Sequence, residues 1–388
     1  MRAFPTFGVL FIVLTSIAIA DFDGATHYDE YMWKFNGGSE LILDGLVRNN
    51  KSEFFDLTGK LVIKNGGWDT AGAFHSNLCV VSKFVDHVEI DGKRYEEGNR
   101  EMSWMLQKSG FIDKSGKMVI LPTWNEVSPF REGLAWVMKY TAESGKIIQE
   151  GGYKSGKFGF IDPTGKEVTP LIWDRANCFS EGLASVCKDG KWGFIDKTGK
   201  IAIPLKWERC LYFSEGVAAV MKTEGTEKKW GYIDRKGEVV IPPRWRQAMP
   251  FNDGVAIVLD RNLGAIDRSG KVIVEPKWLR MGRFSEGLAH AYNMPGGNPD
   301  GGYIDKSGAI VIPTKTDAGS PFEEGVAFLR NGRGKDAKYT LIDKVGKVVA
   351  NLERCQADAE FEKGLCLVDG TNIIDVGGRV VFNIEKKQ

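Results

Sequence analysis

Histidine and cysteine are scarce in this chain: four and six among 388 residues. The histidines, His27, His75, His87 and His290, form no HExxH or related pattern, and neither a nucleophile elbow nor a phosphate loop occurs. The cysteines, Cys79, Cys178, Cys187, Cys210, Cys355 and Cys366, contain no CxxC and no Cys/His spacing that suits zinc. Charge of one sign is also missing, with 52 Lys and Arg against 51 Asp and Glu. A chain this neutral, with its charges dispersed, lacks the basic footprint of a nucleic-acid binder. Beyond the first twenty residues there is no apolar run long enough to span a bilayer.

That first stretch stands apart. Arg2 is followed by a nearly unbroken apolar run from Phe4 to Ile19, and Ala18-Ile19-Ala20 supplies the small-x-small pattern of a signal-peptidase site. The run is short for a membrane anchor, contains Pro5 and lacks a basic flank. The expectation is therefore a cleaved signal peptide over 1–20 and an exported protein, periplasmic, cell-surface or secreted. Removing it leaves 51 basic against 51 acidic residues. Export permits disulfides. Cys178 and Cys210 occupy nearly matching places in adjacent units, so they are the candidate pair, with buried free thiols the alternative.

What the chain has in excess is glycine, 47 residues, roughly one in eight against a usual ~7%. Without a collagen period, that much glycine means many tight turns and many short strands. The turns recur in phase. Gly-Phe-Ile-Asp-Lys-Ser-Gly-Lys (110–117) returns as Gly-Phe-Ile-Asp-Pro-Thr-Gly-Lys (159–166) and Gly-Phe-Ile-Asp-Lys-Thr-Gly-Lys (193–200). Further copies align Asp56, Asp113, Asp162, Asp196, Asp234, Asp267, Asp305, Asp343 and Asp375, which makes nine units. From Asp162 the gaps are 34, 38, 33, 38, 38 and 32 residues, a period that signals stacked supersecondary units.

Other positions keep step with the aspartate. Eleven places on stand Trp124, Trp173, Trp207, Trp245 and Trp278, and seventeen places on stand Phe130, Phe179, Phe213, Phe251, Phe284 and Phe322. Twenty places on is a glycine, usually within Phe-x-Glu-Gly. Residues 182–207 show how one unit folds. Leu183–Cys187 alternates as a strand, Asp189-Gly190 marks a hairpin, and Trp192–Asp196 returns with Trp192 and Phe194 on one face and Ile195 on the other. Asp196-Lys197-Thr198-Gly199 reads as a type I turn with a glycine bulge, the carboxylate accepting turn amides. Ile201–Ile203 is a third strand, stopped by Pro204.

Lys191-Trp192-Gly193 and Lys229-Trp230-Gly231, with the near match Lys157-Phe158-Gly159, resemble the WG repeat family, also called KWG repeats. Leu263-Gly264 and Gly301-Gly302 depart from the naming dipeptide. The resemblance covers roughly residues 45–382 and implies a bacterial binding or scaffold array with no shared active site.

The expected fold is all-β: a tandem array of about nine short antiparallel β-meander units, an open superhelix or β-propeller-like. The open form is favoured, because the first unit brings its own opening strand near Gly45–Val47 and the last its own closing strand, Arg379–Phe382, leaving none to join the ends. The organisation read is 1–20 signal peptide, 21–44 N-terminal segment, 45–382 repeat array and 383–388 tail. The repeated Asp is assigned to turn capping, and the Glu of Phe-x-Glu-Gly (Glu132, Glu181, Glu215, Glu286, Glu324) to a structural or surface role. No catalytic, cofactor-binding or metal-binding residue is proposed. Trp33, Trp104 and Trp136 fall outside the shared positions and are the candidate ligand contacts. Two long insertions, about 83–105 and 139–157, are the candidate recognition surface. The functional expectation is an exported scaffold that binds an unidentified protein or cell-wall polymer, with no catalysis, no nucleic acid and no membrane span after signal removal. A glycan-active envelope hydrolase built on the non-repeated loops is the alternative, and a passive envelope component a third reading.

Overall fold

The computed structural model describes residues 42–43, 45–49, 51–90, 93–96, 107–141, 156–293, 300–316, 318–332, 337–352, 361, 364–368 and 372–383. The signal-peptide stretch, most of the 21–44 segment, Trp33, Trp104 and Cys355 lie outside them, as does all but Asn383 of the C-terminal tail. Every described element is a strand, and no helix long and apolar enough to cross a membrane occurs among the described residues.

Among the described residues, strands gather into nine small antiparallel sheets in sequence order, eight of four strands and a last of three, besides one two-stranded hairpin. Sheet 4 is representative: Arg175–Ala176, Leu183–Lys188, Lys191–Asp196 and Ile201–Trp207 pair in that order. One residue, Glu208, separates it from Arg209–Ser214, the first strand of sheet 5. The predicted three-strand unit is thus corrected to four. The extra strand hides in the Trp-to-Phe connection because it is often only two residues long, too short to show a period. The fourth strand is the outer edge: in sheet 4 only Ile203 and Trp207 are buried on it, whereas four or more residues of each middle strand are.

Each turn aspartate does what its chemistry suggests. Asp196 Oδ1 accepts the Thr198 N–H at 2.8 Å, the Thr198 hydroxyl at 2.7 Å and the Lys200 N–H at 3.1 Å. Gly199 closes the turn at φ 84° by donating to the Asp196 carbonyl. Asp189 and Gly190 both take positive φ, the signature of the two-residue hairpin expected there.

The core lies between sheets. Phe194 of sheet 4 meets Phe213 of sheet 5 at 4.7 Å, and the same pairing joins Phe111 to Phe130, Phe160 to Phe179, Tyr232 to Phe251 and Tyr303 to Phe322. The five recurrent tryptophans are 3–7% exposed and close these seams from one end. Strand alternation splits the work as predicted: Trp192 and Phe194 pack toward sheet 5, Ile195 toward sheet 3.

The chain closes on itself, which corrects the favoured open array. Val47, Phe55 and Leu57 of sheet 1 pack against Leu365, Leu367 and Ile373 of sheet 9, so the nine sheets form a ring, a nine-bladed β-propeller. Sheet 1 keeps its own first strand, Ile42–Leu43, and among the described residues no strand is exchanged across the join. A spare strand is unnecessary when apolar side chains alone can fill the last seam.

The glycine of the Trp-Gly pair follows from the same packing. A Cβ on Gly193 would stand 2.5 Å from the Ile203 carbonyl oxygen, and one on Gly231 2.4 Å from that of Ile241, because the fourth strand bulges over this spot. Replacing Gly231 with Ala should lower unfolding stability by about 2 kcal/mol. Lys228→Ala, at an exposed hairpin tip, should leave it nearly unchanged. Urea denaturation followed by tryptophan fluorescence checks both.

Candidate functional site

The two faces of the ring are built differently. One carries the turns between first and second strands, where a carboxylate residue and a glycine both adopt positive φ: Glu132-Gly133, Glu181-Gly182, Glu215-Gly216, Asp253-Gly254, Glu286-Gly287 and Glu324-Gly325. For a non-glycine residue that conformation costs about 1 kcal/mol or more. The carboxylates are held there by the next blade. Glu132 accepts the Gly182 N–H at 2.9 Å, Glu181 the Gly216 N–H at 2.9 Å, Glu215 the Gly254 N–H at 3.1 Å, and Asp253 the Gly287 N–H at 2.7 Å.

In four of them a cation completes the clamp, supplied by the residue after the next blade's turn aspartate. Lys197 reaches Glu132 at 3.1 Å, Lys306 reaches Asp253 at 2.9 Å, and Arg268 and Lys344 reach Glu215 and Glu286 at 3.6 Å. Lys197 and Lys344 also donate to the carbonyls of the residues they pair with. A second belt runs beside it: the Ser180, Ser214 and Ser285 hydroxyls donate to the Phe213, Phe251 and Phe322 carbonyls. Sequence reasoning placed the glutamates in a structural class but missed their partners. The signal was present, because Lys or Arg follows the aligned Asp in most units and Asp253 stands where the others have Glu.

The opposite face carries the hairpins between second and third strands, including the two long insertions. Part of the first insertion forms an extra hairpin, His87–Ile90 with Lys93–Glu96; residues 91–92 and 97–105 of it, and most of the second, lie outside the described residues. Here too repeated polar groups are occupied. After three of the recurrent tryptophans the next residue accepts a hairpin amide: Asp174 from Asp189 at 2.7 Å, Glu208 from Thr223 at 3.0 Å, and Asn125 from Tyr140 at 3.2 Å.

The Tyr212 hydroxyl is pushed up by burial, and the guanidiniums of Arg283 and Arg131, from blades 7 and 3, pull it the other way. Arg283 is paired with Glu323 at 2.8 Å. No group of three or more His, Cys, Asp or Glu is arranged to hold a metal among the described residues.

Trp136, the candidate ligand contact that can be placed, is only 7% exposed and meets Phe158 edge-on at 5.3 Å. Packing absorbs it, and its ring offers solvent no stacking platform. The candidate disulfide is corrected as well. Cys178 and Cys210 are free thiols in different seams, Cys178 beside Trp136 and Phe179, Cys210 with Cys187 and Trp192. Matching sequence places put the two in equivalent seams one blade apart.

With this geometry, the family assignment follows. The model of the WG containing repeat matches residues 110–140, 158–192, 192–224, 230–263, 264–290 and 302–335, and the chain belongs to that family. Nothing among curated proteins matches it. Solved structures similar to it include one from a study of two prolyl endopeptidases, 9% identical, TM-score 0.42, over 74% of this chain and 49% of that one. Pyrococcus horikoshii acylaminoacyl peptidase is 12% identical, TM-score 0.36, over 67% and 52%. Kluyveromyces lactis Hsv2 is 8% identical, TM-score 0.35, over 62% and 86%. The chain spans about half the length of the two peptidase chains, and at these scores none of the likenesses carries function across.

The clamps make a prediction about acid. Burial pushes the Glu132 carboxyl up, but the Lys197 hydrogen bond, the Gly182 N–H and the Lys197 charge outweigh it, so the group sits below its ordinary 4.5. Asp253 is likewise held below 3.8 against the effect of burial by Lys306 and the Gly287 N–H. The folded carboxyls therefore bind protons less tightly than the unfolded ones. Their contribution is complete above the ordinary values and is lost as pH falls through the lowered ones. The thermal midpoint should be flat above about pH 5 and fall below about pH 4. Glu215→Ala, which removes a half-exposed clamp, should cost about 1 kcal/mol at neutral pH. Differential scanning fluorimetry across pH 3–7 on both proteins tests this.

Proposed function

We propose that this protein is a non-catalytic binding scaffold, exported from the cell, whose ring presents a recognition face to a protein or an envelope polymer. One observation carries the reading: the polar residues that recur from blade to blade are spent on the ring itself. The turn aspartates hold turn amides, the Glu and Asp of the clamps hold the next blade, and the recurrent tryptophans are buried. Chemistry would need groups left over from that work and converged in one pocket, as two carboxylates must be for glycoside hydrolysis.

Length variation concentrates on the hairpin face, as expected where a rigid frame carries variable loops. The extra hairpin of His87–Ile90 with Lys93–Glu96 lies there, and in sequence both insertions, 83–105 and 139–157, fall between second and third strands. The alternative of a glycan-active hydrolase would have to draw its residues from the same insertions.

The purified protein should retain a specific partner from an envelope fraction and release neither new reducing ends nor soluble fragments from envelope polymers. Release of either would replace the scaffold with the hydrolase. Deleting either insertion should weaken partner capture several-fold while moving the thermal midpoint by less than about 2 °C.

A further inference from the structure

The blade junctions on the hairpin face differ in charge from one part of the ring to another. Three consecutive junctions read Lys206-Trp207-Glu208-Arg209, Arg244-Trp245-Arg246-Gln247 and Lys277-Trp278-Leu279-Arg280. They hold six cations against one acid, Glu208, which is already engaged by the Thr223 N–H and hydroxyl. At the equivalent places in the two preceding junctions stand Thr123 and Ile172 before the tryptophan, and Asn125-Glu126 and Asp174-Arg175 after it. No cation stands before the tryptophan there, although Lys139 from the hairpin covers Trp124 at 4.4 Å, and Arg244 also donates to the Gly270 carbonyl of the next blade.

The tryptophan beneath each position orders the side chain above it. Lys206, Arg244 and Lys277 lie over the rings of Trp207, Trp245 and Trp278 at 5.2, 4.6 and 5.1 Å. Lys206, Arg244, Arg246 and Lys277 are exposed. The adjoining hairpin tips, Lys188–Lys191 and Lys222–Lys229, also hold more bases than acids. In a chain balanced at 52 against 51, this is charge gathered onto one arc.

We propose that this arc, over blades 4 to 7, binds a linear acidic polysaccharide, whose regularly spaced carboxylates meet the cations that recur once per junction. This rests on the scaffold reading above and names its partner. A strand of nucleic acid fits less well, because the tryptophans are 3–7% exposed and offer bases nothing to stack on. An acidic protein lacks a charge repeat to match the blades. Since buried rings cannot stack on sugars either, the attraction is electrostatic and is screened by salt.

The test uses the full chain and fluorescently labelled polygalacturonate, with neutral dextran, poly-glutamate and a single-stranded oligodeoxynucleotide as comparators. Binding should favour polygalacturonate and weaken at least about tenfold between 50 and 500 mM NaCl. Combined Lys206→Gln, Arg246→Gln and Lys277→Gln should weaken it at least about tenfold without moving the thermal midpoint. Lys166→Gln, Lys200→Gln and Lys236→Gln, which lie beyond the turn aspartates on the other face, should not. If the first triple variant fails to fold, the single variants should each show a smaller loss. Equal loss from both triples, equal or tighter binding of poly-glutamate or the oligonucleotide, or no binding of any polyanion overturns the proposal. Any of these leaves the scaffold reading to stand or fall on partner capture.

Discussion

The structure depends on aromatic contact between neighbouring sheets. No sheet of four short strands can bury both of its faces, so each needs a neighbour on either side. The side chain two places before the turn aspartate supplies one half of the contact and the phenylalanine seventeen places after it the other. Where the first half is small, as at Ala265, the seam is filled by Leu263, Val274, Trp278 and Phe284. The contact is made once per unit with little variation, which is why unit length can drift from 32 to 57 residues without disturbing the ring.

Polar chemistry then fixes what apolar contact leaves free. Aromatic packing tolerates sliding, whereas a carboxylate bonded to one particular backbone amide of the next blade does not. The clamps therefore set the relative height of adjacent blades, and they lie on the face opposite the variable hairpins. A rigid, nearly invariant side and an adaptable side result from the same repeat. Insertions enter only where neither a clamp nor a seam is interrupted.

Much of this was legible from residues alone. The turn aspartate, the Asp189-Gly190 hairpin and the opposed faces of Trp192 and Ile195 all follow from local rules, and local rules govern hairpins. Three things were not legible, each for a reason of distance. The two-residue first strands are too short to show alternation. The clamp partners lie about 35 to 65 residues apart, and only the parallel recurrence of two separate positions hints at them. Ring closure brings residues near 47 and 367 together, and no repeat inside the chain records the angle between successive blades. For the candidate site, the sequence pointed to Trp136 because it departs from the pattern. The twenty-third place after the aspartate holds Trp136, Ser185, Ala219, Ile257, His290 or Phe328. All six are at most 8% exposed, so the variation there answers to local packing volume.

The join between the first and last sheets has a consequence for how such molecules change size. A latch made by swapping a strand between the ends ties the number of blades to one fixed pairing. Here every blade arrives with its own strands and meets the next through side chains, so duplicating or losing a whole unit adds or removes a self-sufficient piece. The circumference can then grow or shrink by adjusting residues such as Val47 and Leu367 at a single junction.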